Sequence, residues 1–112
     1  MAKEQASMKT IKRIIDAFRN SISESAPLSL VQSFIAVCEN EGKGVVELAE
    51  IVGSSRTTMS RHLLDLSESL RSGADGYKLL QRTQDPSNMR SVVYTLTPKG
   101  KVLRNTLLDL LE

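Results

Sequence analysis

The sequence predicts a mainly α-helical domain carrying one small β-hairpin. Three observations lead there. Apolar residues recur three or four apart through most of the chain, the period of an amphipathic helix. Only two short runs, 79–83 and 91–96, hold the alternating β-branched and aromatic residues of strands. A turn-rich stretch, 84–90, separates those runs, as in a hairpin.

The first helix is expected over 7–24. Met8, Ile11, Ile15, Phe18 and Ile22 form one narrow stripe along it, a spacing suited to packing on another helix. Pro27 breaks the chain before the next element. Ser29-Leu30-Val31-Gln32 has the pattern of a capping box. Val31, Phe34, Ile35 and Cys38 then supply the buried face of a second helix, which the Asn40–Gly44 segment ends.

A short helix follows over Val45–Val52, then Gly53-Ser54-Ser55, then a helix from Arg56 to about Leu70 with Ser55 as its N-cap. Leu48, Met59, Leu63 and Leu66 stand where these two helices can share a core. Helix, glycine turn, helix is the helix-turn-helix pattern. Ser72–Gly76 is a loop, and 79–96 the hairpin. Thr97 and Pro98 open the last helix as N-cap and first helical residue. Val102, Leu103, Leu107, Leu108, Leu110 and Leu111 crowd it, so it is expected to dock on the first helix or on a second chain. The 112 residues suit one domain: an N-terminal helix (7–24), a core (28–97) and a C-terminal helix (98–112).

Composition excludes several classes. With 40% apolar residues the chain is not a disordered one. No run approaches the ~20 apolar residues that span a bilayer. The residues from Met1 to Gln5 start no apolar signal segment. A single cysteine, Cys38, forms no internal disulfide, which fits a cytoplasmic location. Charge is segregated. Residues 21–52 carry a net −4, whereas 53–64 carry +2 and 77–104 carry +5. If the fold joins the two basic segments, they form a phosphate-facing surface; otherwise they are solvated charges.

The core claims Met59, Leu63 and Leu66, which leaves Arg56, Thr57, Ser60 and Arg61 on the outer face near the start of their helix. A recognition helix presents that part to base edges. Arginine pairs bidentately with guanine, and hydroxyls serve bases or phosphates. Arg90 at the hairpin tip suits a minor groove, and Arg82 could reach phosphate from a strand. His62 has no metal-ligating companions at the required spacing and is read as a helix-flank packing residue or a phosphate contact. Cys38 is read as a small hydrophobe. No nucleophile elbow, paired-carboxylate site or phosphate loop is present. Neither an enzyme nor a metal nor a cofactor is expected.

Leu48-Ala49-Glu50-Ile51-Val52-Gly53, Ser55-Arg56-Thr57-Thr58-Met59-Ser60-Arg61-His62-Leu63, the Asp85-Pro86 to Arg90 tip and Leu96-Thr97-Pro98-Lys99-Gly100 together resemble the MarR family of bacterial transcription regulators. The likeness runs from about Leu28 to Val102. The family's wing usually has Asp-Arg-Arg or Asp-Lys-Arg where this chain has Asn88, Met89 and Arg90. The Ser67–Lys78 connection is longer than the family's, and only one helix follows the hairpin.

The resemblance implies a winged helix-turn-helix with N- and C-terminal dimerisation helices. It implies a sequence-specific regulator, a repressor, binding double-stranded DNA as a homodimer on a near-palindromic site, with a small-molecule effector as a possible further partner. DNA contact would fall to Ser55, Arg56, Thr57, Thr58, Ser60 and Arg61 on the helix and to Arg82, Asn88 and Arg90 on the wing. Dimerisation would fall to Met8, Ile11, Ile15, Phe18, Leu107, Leu110 and Leu111. The alternative is a winged-helix adaptor for protein partners that reads no DNA sequence.

Overall fold

Among the described residues, five helices and one hairpin follow each other in the expected order. They are α1 (Ala2–Ser21), α2 (Leu28–Glu39), α3 (Val45–Val52), α4 (Arg56–Ser67), β1 (Leu80–Asp85), β2 (Asn88–Leu96) and α5 (Pro98–Leu110). The computed structural model describes residues 2–70 and 72–112; Met1 and Arg71 lie outside the described residues. No helix among the described residues is long and apolar enough to cross a membrane.

The core lies where α2, α3, α4 and the root of the hairpin meet. Phe34, Leu48, Met59, Leu63, Leu66 and Leu79 are fully buried there. The four residues expected to be shared by α3 and α4 are all among its buried members. Phe34 also meets Phe18 of α1 edge-on, with ring centroids 6.2 Å apart, a favoured aromatic geometry. The C-terminal half of α1 thus belongs to the same core.

The turn between α3 and α4 rests on Gly53. It caps α3 at φ 83°, a left-handed conformation that glycine adopts without a Cβ penalty. Ser55 then starts α4: its Oγ accepts from the Thr58 N–H at 3.1 Å. At the far end of the fold, Thr97 Oγ1 accepts from the Gly100 N–H at 3.0 Å, with Pro98 at the first helical position. Gly100 is required for another reason. A Cβ there would collide with the carbonyl of Leu79, so α5 leaves the wing at backbone contact.

Three expectations need correction. The Ser29 capping box does not form: α2 begins at Leu28 after Pro27, without a side-chain cap. Because the helix starts earlier, Ser29 sits inside its first turn. The buried face of α2 is also rotated from the one expected. Leu30, Ser33, Phe34, Ala36 and Val37 are buried, while Ile35 is exposed. Finally, α4 stops at Ser67 instead of Leu70. The chain turns back on itself, pairing Ser69 with Asp75, and the Tyr77 N–H returns to the Asp65 carbonyl at 2.9 Å.

The hairpin is longer than expected and its turn tighter. Antiparallel pairing runs from Leu80–Leu96 to Gln84–Val92, then shifts so that Asp85 faces Asn88. Only Pro86 and Ser87 make the turn, and Met89, Arg90 and Ser91 are extra residues on β2, an enlarged bulge. Lys43, just before α3, adds a third, one-residue rung by bridging to Tyr94. This rung joins the hairpin to the body of the domain.

Candidate nucleic-acid interface

The start of α4 is open to solvent, as expected. Ser55, Arg56, Thr57, Thr58 and Ser60 are all exposed. Two of them are committed to the cap. Ser55 Oγ accepts the Thr58 amide and also lies 3.0 Å from the Thr58 hydroxyl, to which it donates. Arg56, Thr57 and Ser60 remain on the outer face. Together with Val45, Arg61 and Leu64 they line an open groove of about 560 Å³. Val45 and Leu64 are its apolar wall, which sequence reading did not single out.

Arg61 departs from expectation. Its side chain keeps only 34% of its exposure. Nε and Nη2 donate to Asp65 Oδ1 at 3.0 and 2.7 Å, and Nη2 also donates to the Ser69 carbonyl at 2.7 Å. The signal for this was in the sequence: an acid four residues after an arginine on one helix forms an ion pair.

On the wing, Arg90 is exposed. The Asn88 Oδ1 accepts from the Arg90 backbone N–H at 3.2 Å, so Asn88 shapes the bulge that carries Arg90. The Met89 side chain is outside the described part. Asp85 stiffens the turn by accepting from the Ser87 amide at 2.9 Å and the Ser87 hydroxyl at 2.8 Å. These bonds, the amide's first, hold its carboxyl below the ordinary value. Arg82 is exposed on β1 and has two partners within its own subunit. Its guanidinium lies over the Tyr94 ring, 6.0 Å from the centroid, and 3.9 Å from Glu68.

The expected dimerisation residues divide. Met8, Ile11 and Ile15 are 62%, 49% and 52% exposed, whereas Phe18 is 6% exposed. Phe18 is therefore corrected to a core residue of its own subunit, because it packs edge-on against Phe34. On α5, Leu107 and Leu110 are half-buried and Leu111 is exposed. Val102 and Leu108 are exposed as well.

His62 packs between helices. Its Nε2 lies 3.0 Å from the Ser29 Oγ of α2. No group of His, Cys, Asp and Glu that could hold a metal occurs among the described residues.

No family model matches the chain, and no curated protein matches it. Solved structures do. The Mycobacterium tuberculosis protein RV1404 superposes with a TM-score of 0.71 at 16% identity, over 97% of this chain and 68% of its own. A MarR-family transcription regulator superposes at 0.61 and 21% identity, over 96% of this chain and 67% of its own. The transcriptional repressor CouR, bound to a 23-mer DNA duplex, superposes at 0.62 and 23% identity, over 97% of this chain and 69% of its own. The capped α4, the bridged hairpin and the terminal helices therefore make up the winged helix-turn-helix fold that this chain shares with solved MarR-family transcription regulators.

Proposed function

We propose that the chain is a sequence-specific double-stranded-DNA-binding transcription regulator that works as a homodimer. One observation carries this reading: the first turns of α4 stand capped by Ser55 and open, with Arg56, Thr57 and Ser60 on their outer face. A helix N-terminus offers N–H groups and a positive dipole to phosphate, and such a helix start fits the major groove. Arg56 supplies the base-reading guanidinium, Thr57 and Ser60 supply hydroxyls, and Arg90 on the wing reaches the adjacent groove or backbone. Arg61 is not counted among them. The DNA duplex in the CouR structure agrees with this reading.

The dimer rests on the apolar side chains left open on α1 and α5. Met8, Ile11, Ile15, Val102, Leu108 and Leu111 are large and exposed, more than a solitary small domain readily leaves in water. Two-fold pairing would set two α4 helices on half-sites about one helical turn apart, hence a near-palindromic operator, with repression following from occupancy of a promoter.

Selection of duplexes from randomised DNA, followed by gel shift, tests the proposal. The selected site is expected to be a near-palindrome. Arg56→Ala is expected to weaken it by ~1–3 kcal/mol, the worth of a bidentate base contact. No enrichment of any sequence, with no retention on duplex DNA at low salt, would overturn the reading.

A further inference from the structure

We propose that Asp65 is a governor of DNA affinity: it holds the Arg61 guanidinium in an intramolecular pair and so withholds one positive charge from the duplex. The inference rests on the DNA-binding reading above and deepens it. Arg61 lines the same groove as Arg56, so its position alone would put it within reach of DNA. Its hydrogen bonds point elsewhere. Three donations, two to Asp65 Oδ1 and one to the Ser69 carbonyl, turn it toward the C-terminal end of α4.

The pair is better held than an ordinary surface one. Both side chains are largely covered, at 34% and 21% exposure, and both ends of the clamp are fixed. The Asp65 backbone carbonyl accepts the Tyr77 amide, and the amide of Gly76 returns to the Glu68 carbonyl at 2.8 Å. Charge-assisted bonds of this kind are short and strong. A phosphate competing for Arg61 must displace a carboxylate and a backbone carbonyl together. Arg61 is thus a positioning strut between α4 and the 69–75 turn, and Asp65 is the residue that keeps it one.

The test compares wild type, Arg61→Ala, Asp65→Asn and the double variant on one duplex across a salt series. Each phosphate neutralised adds about 0.9 to the slope of log affinity against log salt. Wild type and Arg61→Ala are expected to share one slope. Asp65→Asn is expected to steepen it by about 0.9 and tighten binding about threefold, and the double variant to return to the wild-type slope. A loss of about 0.9 on Arg61→Ala alone would show that Arg61 already meets phosphate and overturn the proposal. So would an Asp65→Asn gain that persists in the double variant, since the carboxylate would then act by plain repulsion.

Urea unfolding of the same four proteins gives a readout that needs no DNA. The two substitutions are expected to be coupled by threefold or more in the unfolding constant; simple additivity overturns the proposal. If the coupling is present but wild type binds no duplex at all, the DNA-binding reading fails and takes this proposal with it.

Discussion

The Ser29 hydroxyl and the His62 Nε2 meet at 3.0 Å, tying the first turn of α2 to the middle of α4. The other ring nitrogen, Nδ1, is buried and finds no hydrogen-bond partner among the described residues. All of the ring's hydrogen bonding thus depends on Ser29. Ser29→Ala is expected to destabilise the domain by about 1 kcal/mol, the net worth of a part-buried hydrogen bond. The double substitution Ser29→Ala with His62→Leu should recover part of that, because two apolar partners leave nothing unpaired. Urea denaturation of the three variants checks this.

Gly100 makes a second stability prediction. Its missing Cβ is the space that the Leu79 carbonyl occupies. The obstacle is backbone, so no side-chain rotation relieves it. Gly100→Ala is expected to cost about 1–3 kcal/mol or more, read as a drop in the thermal midpoint.

Lys78 adopts φ 58°, where a side chain costs roughly 1–2 kcal/mol. Its backbone is held there from both sides. The Lys78 amide donates to the Ser67 carbonyl at 3.1 Å, and the Lys78 carbonyl accepts from the Thr97 hydroxyl at 2.7 Å. Lys78→Gly is expected to stabilise the fold by up to about 1 kcal/mol, after the entropy that glycine loses. A lower thermal midpoint for the variant would contradict this.

Cys38 is half-buried on α2. Burial, partly offset by the nearby Arg104 guanidinium, pushes its thiol from 9.0 up to about 11. Raising a thiol's pKa removes thiolate, the reactive form. At pH 8 the folded protein therefore holds roughly 100-fold less thiolate than an ordinary cysteine. Iodoacetamide is expected to label native protein far more slowly than urea-unfolded chain, and the native rate should keep rising as pH climbs past 9. Equal rates for the two states would show that the thiol is not suppressed.

The N-terminal half of α1 offers the test of assembly. Ile11→Glu removes an exposed apolar side chain without touching the subunit core. It is expected to shift sedimentation from dimer to monomer and to weaken binding to the full palindrome more than to a single half-site, since two linked sites gain from effective concentration. Wild type that sediments as monomer at tens of micromolar would remove the dimer.

What the sequence made legible followed from how locally each feature is determined. The Ser55 and Thr97 caps, the Gly53 turn and the short α3 are set by residues within four positions of each other, so composition and spacing sufficed. The stripe on α1 was legible as a period, but its division at Phe18 depends on where Phe34 lies, and that is tertiary. Ser29 shows the same limit. Its residue type fitted a cap, but Pro27 started the helix sooner and a histidine 33 residues away took the hydroxyl. Arg61 is the instructive case at the site. Counting arginines on an outer face registered the charge and missed the carboxylate one turn on that neutralises it. The long Ser67–Lys78 connection was visible as extra length, but its reversal through the Ser69–Asp75 bridge was not.

The rung between Lys43 and Tyr94 has a mechanical consequence. The Tyr94 amide donates to the Lys43 carbonyl at 3.0 Å, and the Gly42 amide donates to the Tyr94 carbonyl at 2.9 Å. These two bonds fasten the hairpin's root to the strap that leads into α3, so the base of the hairpin and the start of α3 are one joined piece. For a protein that grips a double helix as proposed, each half of the pair is then a single stiff jaw. If the proposed pairing holds, the spacing between the two jaws is what sets the grip.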